Sequence, residues 1–370
     1  MKISTKRITA ALAASVLALG LFAGCTNDKV TNKDNSSDST ASTASTADES
    51  KAASAEDTDS KADDGTEKKE IEDGKVYNIG ICQLVQHPAL DAATKGFREK
   101  LTELMGEDHV KFDEQNAQGD SPTCATICNQ FVSSNYDLIM ANATPALQSA
   151  STATSEIPIV ATSITDYASA LDAKDWSGKT GTNVTGTSDL APLQEQANIV
   201  KELVPDAKKV GIVYCSAEAN SKYQATEITK TFTQLGYEVK EYTFTDSNDV
   251  AQVTTSACNE SDVLYIPTDN VAASNAELID SVAAPAKKAI IAGEENICKG
   301  CGVATLSISY YDLGCATGEM AYDILVNGKK PGEMEITYSP ELTKEYMPER
   351  AKALGLTIPD GYEEIKADAE

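Results

Sequence analysis

Residues 76–101 read VYNIGICQLVQHPALDAATKGFREKL. The first part, Val76–Leu84, is an apolar run with the composition of a buried β-strand. Leu90, Ala93 and Phe97 then recur at spacings of three and four residues, which predicts an amphipathic helix. A strand followed by a helix is the unit from which parallel sheets are built, because a parallel neighbour needs a long crossover connection.

Seven further strand-like runs follow at roughly even spacing, most of them separated by stretches with helical periodicity. They are Val110–Glu114, Asp137–Asn142, Pro158–Ser163, Lys209–Cys215, Glu238–Phe244, Asp262–Pro267 and Ala289–Gly293. Strands that alternate with helices predict parallel sheets covered on both faces. The eight runs fall into two groups of four, split near residues 185–192. The sequence therefore predicts an α/β fold of two Rossmann-like lobes.

Composition limits the classes of partner. The chain has 370 residues and a formal net charge of −26, with 41% hydrophobic residues. The length suggests about two domains, and the apolar fraction is enough for a substantial core. Binding to nucleic acid through phosphates requires a basic surface, so this acidic chain is not expected to bind nucleic acid.

The N-terminus has the pattern of a secretory signal. Lys2, Lys6 and Arg7 precede the apolar run Ile8–Ala23, which is too short for a membrane-spanning helix. Ala23 and Gly24 directly before Cys25 are similar to the bacterial lipobox, in which this Cys becomes the lipid-modified N-terminus. We therefore expect residues 1–25 to be a lipoprotein signal peptide and Cys25 to anchor the protein to the extracytoplasmic face of the cell membrane. The alternative is an ordinary signal peptide with a coincidental Cys.

Residues 26–75 have the composition of a tether. They contain no aromatic residue, and they carry seven Lys against fourteen Asp and Glu. Such a segment cannot bury enough apolar surface to offset its ordering entropy. The composition predicts a disordered, acidic spacer between the membrane and the lobes.

Polar residues cluster where the predicted strands end. In an open α/β sheet, ligands bind beyond the carboxyl ends of the strands, where helix N-termini also point. The candidate residues there are Gln83, His87, Asp91, Asn116, Thr144, Thr162 and Ser163 in the first half, and Glu218, Asn220, Ser221, Thr268, Asp269, Asn270 and Glu294 in the second. Together they predict a cleft lined with hydrogen-bonding groups.

Eight motifs in order carry a family resemblance. They are VYNIGICQLVQHPALD at 76–91, QNAQGD at 115–120, ATPA at 143–146, NVTGTSD at 183–189, EANS at 218–221, PTDN at 267–270, GEE at 293–295 and YYDLG at 310–314. Over about residues 76–350 the chain resembles the ABC-transporter substrate-binding lipoproteins whose better-known members bind tryptophan, tyrosine or phenylalanine. The resemblance implies a type I periplasmic-binding-protein fold, in which two lobes joined by three crossovers close on a ligand.

Mapped onto this chain, the resemblance implies crossovers near 187–192, 307–311 and 336–339. Residues 76–188 plus 310–336 would form the N-terminal lobe, and residues 189–309 plus 337–370 the C-terminal lobe. An ABC permease and its ATPase would be the partners of a monomeric binding protein.

An α-amino acid needs donors for its carboxylate and acceptors for its ammonium group. Thr144 and Ser163 suit the carboxylate, whereas Asp269, with Glu294 in reserve, suits the ammonium group. His87 either bonds the ligand or orients its loop. The candidates for an apolar wall around the ligand side chain are Leu84, Leu90, Tyr214 and Tyr310.

The sequence lacks the residues that several classes of enzyme require. The chain has only two His, His87 and His109, and it lacks a nucleophile-elbow motif, a phosphate-binding loop and a dinucleotide fingerprint after the first strand. We therefore expect no catalysis, no cofactor and no metal. Cys298 and Cys301 form a lone CxxC, for which a zinc site is weakly supported, a disulfide is possible and free thiols are favoured.

The sequence thus favours a solute-binding component of an ABC importer that captures an amino acid, aromatic or otherwise. One alternative keeps the fold but makes the protein a ligand-sensing lipoprotein. Another keeps the importer role but replaces the amino acid with a nucleoside or a sugar.

Overall fold

In this computed structural model, the residues described are 71–72, 74–339 and 341–366. They belong to one compact unit, which spans Thr66–Glu370. The predicted signal peptide with Cys25 lies outside the described residues, as does most of the predicted tether. At the end of that tether, Ile71 packs partly buried against the first-lobe core.

The described residues form thirteen strands and twelve α-helices. The strands are β1 (Tyr77–Gln83), β2 (Val110–Asn116), β3 (Leu138–Asn142), β4 (Ile159–Ile164), β5 (Val184–Ser188), β6 (Lys209–Cys215), β7 (Glu238–Phe244), β8 (Val263–Ile266), β9 (Ala289–Ala292), β10 (Ala304–Ser307), β11 (Thr337–Tyr338), β12 (Thr343–Tyr346) and β13 (Glu363–Glu364). The helices are α1 (Pro88–Met105), α2 (Ser121–Ser133), α3 (Thr144–Ala153), α4 (Tyr167–Ala170), α5 (Leu193–Leu203), α6 (Ala219–Gln234), α7 (Val250–Glu260), α8 (Asn270–Ser274), α9 (Ala276–Ala283), α10 (Glu295–Cys301), α11 (Tyr310–Leu325) and α12 (Pro348–Leu354).

Two sheets divide the unit into two lobes. The first sheet has the strand order β11-β5-β4-β3-β1-β2, and its strand pairs are all parallel. The second has the order β13-β12-β10-β9-β8-β6-β7, in which only the pair of β10 and β12 is antiparallel. The predicted α/β fold with two parallel-dominated lobes is confirmed.

The eight predicted strands correspond to β1–β4 and β6–β9, and the structure adds five more. Among the additions, β5 (VTGTS) and β10 (ATLS) are fully buried although hydroxyl-bearing side chains interrupt their apolar character. The remaining three, β11, β12 and β13, are two to four residues long. Short or hydroxyl-rich strands lack the apolar run that marked the others.

The chain crosses between the sheets three times. It passes to the second sheet after β5, returns after β10 to form α11, and passes again between β11 and β12. Thr337 and Tyr338 pair with Thr187 and Ser188 of β5, so the last crossing falls after residue 338. The lobe boundary predicted at residue 336 lies two residues earlier.

Helix α11 is fixed to α1 by close backbone contact. A Cβ added at Gly314 would lie 2.0 Å from the carbonyl oxygen of Ala93, and one added at Gly96 would lie 2.1 Å from that of Tyr311. Two glycines facing each other's helix therefore allow α11, which arrives from the second lobe, to complete the first lobe.

Each sheet has a core on both faces. In the first lobe, Phe97 of α1 and Phe131 of α2 are fully buried on opposite sides of the sheet. In the second, Phe232 and Tyr265 belong to one core and Phe244 to the other. Burying such a side chain contributes about 1.5–3 kcal/mol each, so the lobes have the cores that the composition predicted.

Three helices begin at residues that are typical of helix starts. Helix α2 begins at Ser121, capped by Asp120, and α3 begins at Thr144 before Pro145. Helix α5 begins at Leu193, directly after Pro192. Over the described part of the chain, every helix is too short or too polar to cross a membrane.

Candidate functional site

The two lobes enclose a narrow cavity, which we call the interlobe cavity. Its volume is about 10 Å³, which is roughly the space that one water molecule requires. The residues that line it are His87, Leu90, Ser163, Asp189, Asn220, Thr268, Asp269, Asn270, Ala273, Glu294 and Tyr310. Most of these residues follow the carboxyl ends of strands, where the fold predicts a ligand site.

Nine of the sixteen predicted ligand residues line this cavity. They are His87, Leu90, Ser163, Asn220, Thr268, Asp269, Asn270, Glu294 and Tyr310. Contact of these residues with a ligand stays a prediction. Sequence reasoning missed two lining residues, Asp189 and Ala273. Asp189 was not among the candidate ligand residues, and the signal that could have found it is its place in the NVTGTSD motif at the first crossover.

His87 connects the lobes directly. Its Nε2 donates to Oδ1 of Asn270 in the second lobe at 3.2 Å, while its buried Nδ1 has no hydrogen-bond partner among the described residues. Burial lowers the pKa of His87 from its usual 6.5, so the ring is neutral at neutral pH and Nδ1 is an acceptor. The structure thus leaves one acceptor in the cavity unused.

Ser163 is held in a left-handed conformation, with φ of 58°. The register between β4 and β5 shifts between Ala161 and Ile164, and this irregularity accommodates Ser163. The Ser163 Oγ is buried and has no partner among the described residues. A non-glycine residue in this region costs of order 1 kcal/mol or more, and such strain concentrates at ligand-binding sites.

Asp189 lies at the first crossover, and both of its oxygens accept hydroxyl hydrogen bonds. Thr165 Oγ1 donates to Oδ1 at 3.1 Å, and the Tyr310 hydroxyl donates to Oδ2 at 3.0 Å. Burial raises the pKa of Asp189 to about 6, against the lowering effect of these two bonds. This carboxylate therefore joins the first lobe, the first crossover and the second crossover at one point.

Asp269 and Glu218 form a buried acidic pair in the second lobe. Asp269 accepts from the peptide N–H of Ala272 at 2.7 Å and of Cys215 at 2.6 Å. Glu218 accepts from Nδ2 of Asn270 at 2.6 Å and from the peptide N–H of Val271. Burial raises the pKa of both carboxyls, and that of Glu218 rises to about 7 with a further contribution from Asp269.

Glu294 caps α10 and faces the same cavity. Its oxygens accept from the peptide N–H groups of Asn296 and Ile297. Burial raises the pKa of Glu294 to about 7. The cavity thus holds three carboxylates, Asp189, Asp269 and Glu294, each of which already accepts at least two hydrogen bonds. A carboxylate has about four lone-pair sites in total.

No Lys or Arg is among the residues that line the interlobe cavity. Three polar atoms at its wall are buried and unpartnered among the described residues: His87 Nδ1, Ser163 Oγ and Asn220 Oδ1. Two of these are acceptors and the hydroxyl can act either way. Carboxylates and unused acceptors without a cationic side chain favour a ligand with a positively charged N–H donor.

A second space, the mouth pocket, adjoins the interlobe cavity. Its volume is about 330 Å³, and Asn270 lines both spaces. Apolar side chains from the two lobes line it, namely Leu84, Val85 and Pro145 from the first and Ala217 and Val271 from the second. Glu218 borders this pocket rather than the interlobe cavity.

Six other predicted ligand residues lie away from both spaces. The Gln83 Nε2 donates to Asp91 at 2.7 Å, and Thr94 donates to Oε1 of Gln83 at 2.6 Å, so Gln83 and Asp91 anchor β1 to α1. Asn116 is exposed and accepts from the peptide N–H of Gln118, as a turn former does. These three side chains follow strand ends, but their partners belong to their own lobe.

The remaining three are buried in supporting positions. Thr162 accepts from the hydroxyl of Thr187 at 3.0 Å, and Thr144 is buried at the start of α3. Ser221 hydrogen-bonds the Asp269 carboxylate from α6. The wall candidate Tyr214 lines neither space: it packs in a second-lobe core and donates to Glu241 at 2.7 Å. Its side chain lies on the opposite face of β6 from that of Cys215, which lines the mouth pocket.

All eight cysteines in the described residues are free thiols, including Cys298 and Cys301. Across the same ranges, no group of three His, Cys, Asp or Glu is arranged to hold a metal ion. The chemistry of the interlobe cavity is therefore that of its hydrogen bonds and buried charges.

The chain matches a known family and known relatives over most of its length. The family model described as ABC transporter substrate binding protein matches residues 78–368. A tyrosine-binding protein of Clostridioides difficile strain R20291 is 35% identical over 370 residues, which cover 99% of this chain and 98% of the relative.

Two solved structures are similar over 79% of this chain and 100% of their own. One is an ABC domain in complex with L-Trp from Streptococcus pneumonia, 34% identical with a TM-score of 0.75. The other is the ligand-free, open structure of a substrate-binding protein with adhesive properties from Clostridium difficile, 36% identical with a TM-score of 0.62. The backbone of this chain thus superposes more closely on the L-Trp complex than on the open structure.

Proposed function

Because the chain belongs to the ABC transporter substrate-binding protein family, we propose that it captures an amino acid between its lobes and delivers it to an ABC importer. One observation carries the ligand class. The interlobe cavity is lined by three buried carboxylates and by unpartnered acceptors, and none of its lining side chains is Lys or Arg. An ammonium group satisfies such a site, whereas a neutral sugar leaves its charges uncompensated.

The ammonium group is assigned to Asp189, Asp269 and Glu294. Each of these carboxylates already accepts at least two hydrogen bonds, which hold it in position without neutralising it. A cation between them offsets the cost of burying like charges. Asp189 is added here to the two acids that the sequence suggested.

The carboxylate of the ligand is assigned to the first lobe. Ser163 Oγ is unpartnered, and the first turn of α1 begins directly after His87. Peptide N–H groups and the positive end of the helix dipole favour an anion at such a start. Thr144, which is buried at the start of α3, is assigned a supporting role.

An aromatic side chain fits the mouth pocket best. That pocket measures about 330 Å³ and has apolar residues from both lobes, which is the usual size and character of a small-molecule site. The tyrosine-binding relative and the L-Trp complex support the same choice. We therefore infer tyrosine or tryptophan rather than a small aliphatic amino acid.

Ligand entry requires the lobes to separate. A cavity of about 10 Å³ cannot admit an amino acid, so the ligand binds an open form and the closed form is stabilised by contacts with both lobes. The three crossovers are the proposed hinge. Ligand binds without covalent change in this proposal, which makes the protein a carrier and not an enzyme.

Thermal-shift measurements with the twenty amino acids, nucleosides and sugars test the ligand class. Saturation at about a hundred times Kd should stabilise the folded state by about 2.7 kcal/mol. We expect tyrosine or tryptophan to raise the transition temperature. If only a sugar or a nucleoside raises it, the assignment of an amino acid is wrong.

The membrane anchor is proposed from the N-terminal sequence. Cys25 follows Ala23 and Gly24 and a basic, apolar leader, which supports a lipid-modified N-terminus exposed on the extracytoplasmic face. The Cys25→Ser variant should leave the membrane fraction and lose the lipid mass in intact-protein mass spectrometry. Wild-type protein without a lipid mass would contradict the anchor.

A further inference from the structure

A pocket separate from the ligand site lies between the two lobes, and we call it the hinge pocket. It is bounded by the start of α1, by α10, by β12 and by the crossover that follows β10. Its volume is about 430 Å³, within the range of small-molecule sites. An occupant of this pocket would contact both lobes and a crossover at once.

The hinge pocket and the interlobe cavity share a wall. Tyr310 lines both, and its hydroxyl donates to Asp189 on the cavity side. Asn296 lines the hinge pocket, and its peptide N–H donates at 2.8 Å to Glu294, which lines the cavity. None of the three cavity carboxylates lines the hinge pocket, so the two spaces present different groups.

Glu345 of β12 lines the hinge pocket and carries an unsatisfied acceptor. Its Oε2 is buried and has no hydrogen-bond partner among the described residues. Burial raises the pKa of Glu345, and Glu295 adds to the rise, while Ser307 and Lys299 act in the opposite direction. A desolvated carboxylate oxygen without a donor is unfavourable, and a ligand N–H would relieve that cost.

The charges around the hinge pocket favour a positively charged ligand. Its lining includes Glu295, Glu341 and Glu345 against one cation, Lys299, which pairs with Glu295 at 2.8 Å. The acidic excess favours a cation and leaves the carboxylate of a zwitterion without a good partner. In the described part of the chain no three acidic, His or Cys side chains are arranged for a metal ion, which favours an organic cation.

Apolar groups complete this surface. Ala89, Ala92 and Ile308 line the hinge pocket beside the acidic side chains. A short hydrocarbon with nitrogen at its end matches both the apolar and the acidic part of the wall. We propose that the hinge pocket binds a small organic cation, an amine or a guanidine with at least two N–H donors, with Glu345 as its counter-ion.

Calorimetric titration of the full chain tests the site directly. Putrescine and agmatine are the probes, and butanediol, which has the putrescine skeleton without charge, is the matched control ligand. Both amines should bind and the diol should not. Absence of binding by both amines at about 1 mM, a concentration that saturates any micromolar site, overturns the proposal.

Variants assign the binding to the hinge pocket. Glu345→Gln keeps the side-chain size and should weaken amine binding about tenfold to a hundredfold, the effect of losing a hydrogen bond to a charged group. Glu156→Gln removes one charge from an exposed position of the first lobe and should change nothing. Amine binding by Glu345→Gln as tight as that of the wild type contradicts the assignment.

The acidic interlobe cavity could also bind amines, so a separate variant tests binding there. Asp189→Asn removes a cavity carboxylate, so binding in the hinge pocket survives it. Loss of amine binding in Asp189→Asn together with its retention in Glu345→Gln places the amine in the interlobe cavity and refutes the proposal. If Glu345→Gln does not fold, Ala92→Met fills the hinge pocket from α1, and amine binding that survives this substitution overturns the proposal as well.

Discussion

Replacing Asp189 by Asn should remove a pH-dependent term from the stability of the unliganded protein. Asp189 is fully buried, and burial raises its pKa from 3.8 to about 6. A rise of about two units corresponds to roughly 3 kcal/mol of preference for the protonated form in the folded state. The asparagine side chain has nearly the same shape as that of aspartate but does not titrate.

The sign follows from proton binding. A carboxyl whose pKa is raised on folding binds more protons in the folded than in the unfolded state, so stability falls as the pH rises from the unfolded value through the folded one. Its full contribution is present below 3.8 and is lost above about 6. Between about pH 4.5 and about pH 7.5 the loss from Asp189 is about 2 kcal/mol, because the unfolded carboxyl is already mostly ionised at the lower value.

Urea unfolding of both proteins at these two pH values measures the effect. Trp176, the single tryptophan, stacks on buried Tyr167 in the first lobe and reports unfolding by fluorescence. As the pH rises, the unfolding free energy of the wild type should fall by about 2 kcal/mol more than that of Asp189→Asn. The control variant Asp206→Asn, which removes an exposed carboxylate, should lose as much unfolding free energy between these two pH values as the wild type. Equal losses in the wild type and Asp189→Asn would refute the reasoning about this buried acid.

Three more predictions concern the ligand site and the contact between α1 and α11. Amino-acid affinity should fall on acidification below about pH 7, where Glu294 begins to bind a proton, and more steeply below about pH 6, where Asp189 does so as well. The fall should be about tenfold per pH unit for each carboxylate that must lose its proton. Calorimetry at a series of pH values checks this, and a flat profile would exclude these acids as ammonium partners. Ser163→Ala should weaken amino-acid binding about tenfold and leave the unliganded protein as stable as before or about 1 kcal/mol more stable, because it removes an unpartnered buried hydroxyl. Calorimetry measures the affinity and urea unfolding measures the stability. The exposed control Ser133→Ala should leave the affinity unchanged, and unchanged affinity in Ser163→Ala would remove Ser163 from the site. Gly314→Ala should destabilise the fold by about 1–3 kcal/mol, because the new Cβ would meet the Ala93 carbonyl oxygen. The control Glu319→Ala, on the exposed side of the same helix, should change the unfolding free energy by less than about 0.5 kcal/mol. Equal urea midpoints for the two variants would contradict the close contact of α1 and α11.

Most of the fold was predictable because its strands are buried on both faces. Runs such as β3 and β6 are nearly continuous apolar segments, and the helices between them repeat at three and four residues. The strand β5 escaped because Thr and Ser fill a fully buried strand. The hydroxyl of Thr187 in this strand is satisfied by a side chain distant in sequence, that of Thr317, and local patterns do not record such contacts.

The candidate site was predictable as a set of loops but not atom by atom. His87, Asn270 and Glu294 follow strand ends, and the topology brings them together. Gln83 ends β1 and Asp91 lies in the first turn of α1, yet they bond each other because α1 packs over β1. Tyr214 illustrates a second limit: both faces of a buried strand carry apolar residues, so the pattern does not reveal which face a given residue occupies.

Asp189 was missed for a related reason. In sequence it precedes Pro192 and looks like a helix cap, but its partners are Thr165 and Tyr310, twenty-four and 121 residues away. Only the crossing of the chain between the sheets brings these hydroxyls to one carboxylate. The resemblance motif that contains Asp189 marked the position without revealing its role.

The central claim is that the buried carboxylates of the interlobe cavity bind the ammonium group of an amino acid. Calorimetric titration of the full chain with L-tyrosine and with its deamino analogue, 4-hydroxyphenylpropionate, tests it most directly, because the two ligands differ only in that group. We predict that L-tyrosine binds and that the analogue binds at least about a hundredfold more weakly, the effect of leaving charged partners unpaired. Binding of the analogue as tight as that of L-tyrosine would contradict the claim.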